Sequence, residues 1–228
     1  MSTTLKNLRN GFLLLAAGIF VMHSAVADID AEQGRGSRGE VWLALPMWPA
    51  LGDLQPVVGG SFKSVGYGLG AAAHWPWKPV RGGDLLVGFE GAIMATDSDI
   101  PVILDELLAR HLYVAASLKW RLGKARKVSL DAGLAFHLLD IAQLDTDYRS
   151  AGEFESWEED AFGPFVGMTL DFDASESTDD GAATLGLRVH FVNFGTVRDE
   201  DVFVSAVLGR DAGKLDGPLA VLYIGYSW

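Results

Sequence analysis

Ten side chains able to carry charge or move protons stand at alternate positions inside otherwise apolar stretches: Glu40, His74, Glu90, Lys119, Arg121, Asp131, His137, Asp171, Arg188 and His190. His111 stands the same way. Carboxylates, cations and imidazoles in such a set can pair into a buried network, because a charge away from water is tolerated only when partnered and hydrogen-bonded. The same groups can also line a narrow path for ions. Nucleophilic catalysis asks for more, a hydroxyl or thiol beside a base that a third group orients. The chain has no cysteine, so thiolate chemistry, zinc–thiolate sites and disulfides are excluded.

Alternation is what positions these groups. Residues i, i+2 and i+4 of a strand share one face. Eight segments alternate in this way: 40–48, 65–77, 85–95, 110–122, 128–139, 162–172, 183–194 and 219–228. In the fourth, Leu112, Val114, Ala116, Leu118, Trp120 and Leu122 lie opposite His111, Ser117, Lys119 and Arg121. Gly66, Gly68, Gly70, Gly88, Gly133, Gly167 and Gly186 fall on the polar face, where small residues leave room for long neighbours in a narrow interior. Trp75, Trp77, Trp120, Tyr226 and Trp228 fall on the apolar face near segment ends, as aromatics do at a membrane–water interface. Connections alternate as well, short at 78–84, 123–127 and 173–182 and longest at 140–161 and 195–218.

This pattern predicts an all-β protein, an antiparallel up-and-down transmembrane β-barrel of eight strands with its polar face inward. Ten strands result if 202–208 adds a strand pair. A soluble barrel would reverse the faces. At the N-terminus, Lys6 and Arg9 precede an apolar run over 11–22 and the small-residue site Ala25-Val26-Ala27. That run is too short to span a bilayer and reads as a signal peptide, residues 1–27, ahead of a barrel domain over 28–228. Cleavage removes two positive charges and no negative ones, taking the formal net charge from −12 to −14. Nucleic acid is not an expected partner of so acidic a chain.

The last ten residues read LAVLYIGYSW, with Ile224, Tyr226 and Trp228 on one face. This segment resembles the terminal strand of outer-membrane barrels, and the whole pattern is similar to the small OmpA- and OmpX-type barrel proteins. The resemblance implies export through the periplasm to the outer membrane of a Gram-negative bacterium. It implies contact with outer-membrane lipids and lipopolysaccharide, and an assembly signal at Ile224, Tyr226 and Trp228 for the barrel-assembly machinery. Residues 188–195 also resemble part of the His-x-Ser-Asn signature of the lipid A deacylase barrels. His190 and Asn193 match it, but Val192 stands where that family has its serine nucleophile.

Acidic residues crowd the long connections, among them Asp97, Asp99, Asp105, Asp145, Asp147, Glu153, Glu155, Glu158, Glu159 and Asp160. They are expected to be solvated, with divalent cations as a further partner. Neither Asp97-x-Asp99 nor Asp145-x-Asp147 continues into an EF-hand loop. Gly66-Tyr-Gly68-Leu-Gly70 opens no helix and is no nucleotide loop. The apolar run 100–108 reads as a short helix or as an extension of the next strand. The leading expectation is a non-enzymatic barrel with a side-chain-filled polar lumen and acidic loops, serving envelope integrity or surface and lipid contact. It has no cofactor, metal or catalytic residue. A narrow pore for ions or small solutes and a lipid-modifying enzyme are the alternatives.

Overall fold

The structure, a computed structural model, describes residues 37–54, 61–62, 65–99, 106–123, 127–144, 157–172, 181–197 and 213–228. The expected leader, the acids at 145–155 and the segment 202–208 lie outside these residues. Nine strands follow one another: β1 (Arg38–Met47), β2 (Ser61–Phe62), β3 (Tyr67–Val80), β4 (Gly83–Asp99), β5 (Glu106–Leu122), β6 (Val128–Leu144), β7 (Trp157–Phe172), β8 (Ala182–Val197) and β9 (Gly213–Ser227). All except β2 form a ring in which each long strand pairs with its neighbours in sequence, and β1 closes on β9. Eight strands, not ten, make the barrel wall. The two-residue β2 pairs only with the end of β4.

The register sets the shape. A walk across hydrogen-bonded neighbours from Arg38 passes His74, Gly88, Ser117, Gly133, Phe165, His190 and Leu219. It rejoins β1 one step past the pair Met47–Ala220. The ring is therefore staggered by about ten residues, which tilts the strands by roughly 40° to the barrel axis. Every side chain on this walk points inward.

Strands outlast the sequence pattern at the end of the long connections. β4, β5 and β6 each run for 17 residues, about 40 Å along the axis at this tilt. The apolar outer band is shorter. On β7 it runs from Phe162, 77% exposed, to Phe172, roughly 25 Å lower. Above Phe162 the outer surface turns polar, with exposed Glu158 and Asp160 and an ion pair between Arg110 and Asp140. Alternating apolar residues signal only the band that needs them, whereas the backbone ladder continues into water. For the same reason the run at 100–108 becomes strand from Glu106 onward, and 100–105 lies outside the described residues.

At the opposite end the turn expected over 78–84 tightens to Arg81–Gly82, because Gly82 accepts a positive φ of 92°. Pro76 sits at a register shift between β3 and β4, where a missing N–H is tolerated. Pro164 likewise marks the place where the β7–β8 ladder stops, at the pair Phe165–His190.

Candidate functional site: the barrel lumen

The interior holds two groups of side chains. The lower group, toward the termini, is ionic. Arg38 Nε meets Glu40 Oε1 at 2.7 Å and its Nη2 meets Asp171 Oδ1 at 2.6 Å. Lys119 Nζ bonds Glu40 and lies 3.6 Å from Asp131 Oδ1. Thr169 Oγ1 donates to Asp131 Oδ2 at 3.0 Å and lies 2.6 Å from the Tyr223 hydroxyl. Arg188, with no exposed surface, is clamped between the rings of Trp42 and Tyr223, 4.5 and 4.4 Å from their centroids. Its Nε lies 3.1 Å from Glu90 Oε1, close enough for a charge pair but not aligned for a hydrogen bond. Four carboxylates thus face three cations.

The glycines make this possible. A Cβ on Gly70 would collide with the Trp42 ring, one on Gly186 with the Tyr223 ring and one on Gly167 with the Arg188 stem. Small residues on one strand provide the space that a large residue on the next strand fills.

The upper group is aromatic. His111, His137 and His190 come from β5, β6 and β8 and meet on the axis side of the wall. His111 Nε2 and His137 Nδ1 share a hydrogen bond of 2.9 Å, with the two rings stacked. His190 stacks on Phe165 at 5.0 Å, approaches the Tyr113 ring at 4.5 Å and meets His137 edge-on at 5.2 Å. Trp48 and Phe194 pack over His111 from above. A small crevice between Trp48, Leu51, Met94 and Thr96 lies beside His111 at this end.

Of the ten side chains singled out in the sequence, Glu40, Glu90, Lys119, Asp131, Asp171 and Arg188 enter the ionic group. His74 joins its edge through a 2.9 Å contact between Nε2 and Ser117 Oγ. His137 and His190 enter the aromatic group. Arg121 stands at the lower mouth, half-buried at the end of β5. Ile224, Tyr226 and Trp228 point outward, about half exposed, with the last two rings stacked. The sequence reading missed Arg38 and the inward aromatics Trp42, Tyr113, Phe165 and Tyr223. Continuing the alternation one step back from Glu40 finds Arg38.

The residues of the partial deacylase signature do not come together in the structure. His190 is fully buried in the lumen and Asn193 faces outward, so the partial deacylase signature is split between two faces. Ser117 does touch the base His74, yet both are buried and His74 Nδ1 has no orienting partner. Among the described residues no group of His, Asp or Glu is arranged to hold a metal ion. No described helix is long and apolar enough to cross a membrane.

No protein-family model matches the sequence, and no curated protein matches it. Among the solved structures that share the outline are the following two. One is the outer membrane protein OprG from Pseudomonas aeruginosa, with 10% identity over 85% of this chain and 97% of that chain and a TM-score of 0.44. The other is Neisserial surface protein A (NspA), with 9% identity over 84% of this chain and 93% of that chain and a TM-score of 0.41. At such identities a shared outline says nothing of role.

Proposed function

We propose that this chain is an outer-membrane barrel of a Gram-negative bacterium whose lumen is closed to solutes by its own side chains. It serves the envelope through its surfaces, the lipid-facing wall and the acidic rim above it. One observation carries this reading: the faces are reversed relative to a soluble barrel. Leu43, Leu69, Phe89, Leu134, Val166 and Ile224 are exposed around the ring, while Glu40, Glu90, Lys119, Asp131 and Arg188 are buried inside it. An exposed belt of that extent is unstable in water and suited to hydrocarbon. Trp77, Trp120 and Trp228 at the lower edge fit a headgroup interface. Ile224 and Tyr226 lie on β9, the strand that closes the ring, and Trp228 follows it directly, which supports their reading as the signal for the assembly machinery.

Membrane fractionation with boiled and unboiled gel lanes tests the first half. A band in the outer membrane that changes mobility on boiling is expected. A soluble periplasmic protein with unchanged mobility overturns it. Planar-bilayer recording tests the second half, and the expected trace shows no conductance steps for potassium or chloride. Steady steps would replace the closed barrel by a narrow pore.

A further inference from the structure

We propose that the turn joining β3 to β4 seats the headgroup of an anionic phospholipid of the periplasmic leaflet, with Lys78 and Arg81 as its phosphate ligands; the inference rests on the membrane-barrel reading above. The chain carries a formal net charge of −12, and the exposed acids Glu158, Glu159 and Asp160 stand at the upper end of the wall. One side of the lower end has the opposite sign. Lys78, Arg81, Arg121 and Lys127 gather on the β3–β4 and β5–β6 connections, where Asp84 is the one acid among the described residues. The two connections are neighbours, because Gly123 N donates to Gly82 O at 2.7 Å just beyond the ladder pair Gly83–Leu122. Asp84 stands directly opposite Arg121, so these two offset each other in charge. Lys78, Arg81 and Lys127 are exposed, and among the described residues no carboxylate pairs with them.

A bulge aims the first of these cations. Strict alternation after Trp75 and Trp77 would turn Lys78 toward the lumen. The register shift between Pro76 and Lys78 instead leaves Trp77 without an opposite residue on β4 and sets Lys78 opposite Leu85, which itself faces Trp120. Directly opposed residues of neighbouring strands share a face, so Lys78 stands outward in the row of Leu85 and Trp120. Its Nζ lies 5.0 Å from the centroid of the Trp77 ring, which is 56% exposed. A lysine held over a tryptophan at the edge of the apolar band sits at headgroup depth, its stem on apolar surface and its charge toward water. Arg81, exposed beside Gly82 in the turn, adds a planar fork that matches two phosphate oxygens. Lys127 strengthens the same positive field from the adjoining connection. A zwitterionic headgroup brings its own ammonium into that field and is repelled, whereas an anionic glycerol headgroup is not. The phosphates of lipopolysaccharide belong to the opposite leaflet, on the side of the exposed acids.

The test is native mass spectrometry of the folded barrel released from detergent, with phosphatidylglycerol and phosphatidylethanolamine of the same acyl chains added in equal amounts. Wild type is expected to retain phosphatidylglycerol preferentially. Lys78→Gln and Arg81→Gln should each lower that preference by about fivefold, the effect of one cation at an anionic lipid surface. Both should keep the boiling-sensitive gel shift. Lys214→Gln removes an exposed cation from the upper end of β9 and should leave the preference unchanged. A shift-positive wild type that retains the two lipids equally overturns the seat and leaves the membrane reading standing. A preference that survives in the Lys78→Gln/Arg81→Gln double variant, or that falls as far in Lys214→Gln, also overturns the seat. A wild-type chain without the gel shift overturns both.

Discussion

Lys119 on β5 and Glu40 on β1 are bonded to each other across the lumen, although their strands are not neighbours in the ring. Asp131, directly opposite Lys119 on β6, holds the same ammonium from the other side. The three residues form a strut between walls that the backbone ladder joins only the long way round. Replacing Lys119 with Met leaves two buried carboxylates short of a cation. The expected loss is about 3–5 kcal/mol, read as a lowered urea midpoint by tryptophan fluorescence in detergent micelles. An unmoved midpoint would sink the strut.

Arg188 combines charge with stacking, so its two substitutions should differ. Arg188→Leu removes the partner of Glu90 and is expected to cost about 3–5 kcal/mol. Arg188→Lys restores the charge but not the planar surface held between Trp42 and Tyr223. It should recover only part of the loss, because cation–π contact of a buried guanidinium is worth about 1–2 kcal/mol. Full recovery by lysine in the same unfolding assay would count against the ring clamp.

The glycine hollows should be as sensitive as the residues that fill them. Gly70→Ala drives a methyl group into the Trp42 ring and is expected to destabilise by about 1–3 kcal/mol. Combining it with Trp42→Phe shortens the intruding ring, and the double variant should be less destabilised than the two single losses added. Simple additivity would mean that the two positions do not share space.

Ala132 and Ala135 offer a comparison within one strand. Ala132 is exposed on the outer face and Ala135 is wholly buried in the lumen. Ala132→Leu should change stability by no more than about 0.5 kcal/mol, whereas Ala135→Leu overpacks the interior at about 1–3 kcal/mol. Ala132→Arg, near the middle of the apolar band, should cost about 2–4 kcal/mol in lipid. An Ala132→Arg variant as stable as wild type would mean that this face meets water.

Much of the wall was legible in the sequence. Two-residue periodicity separates the faces of β5, β6 and β8 without ambiguity, because their inward positions mix histidine, charge and small residues that no lipid face would carry. Aromatic residues are less informative. Trp42 and Tyr223 look as suited to a membrane interface as Trp120 and Tyr226 do, and only the hollows opposite them, at Gly70 and Gly186, tell the two kinds apart. Arg38 went unnoticed because no outward apolar residue precedes Gly39 to extend the pattern. Partners such as Arg38 with Asp171, 133 positions apart, depend on the stagger of the ring, and periodicity carries no information about it.

The ten-residue stagger gives the lumenal charges a task in addition to stability. A slip by one residue between neighbouring strands turns every apolar side chain inward and is forbidden by hydrophobicity alone. A slip by two keeps all faces correct, so the lipid cannot distinguish it from the native ring. It does, however, set Lys119 opposite Ser129 or Gly133 in place of Asp131 and carries Arg38 away from Asp171. The interior thus works as a combination lock on the barrel: oily residues choose which way each strand faces, and ion pairs choose the single rung at which the first strand and the last can meet.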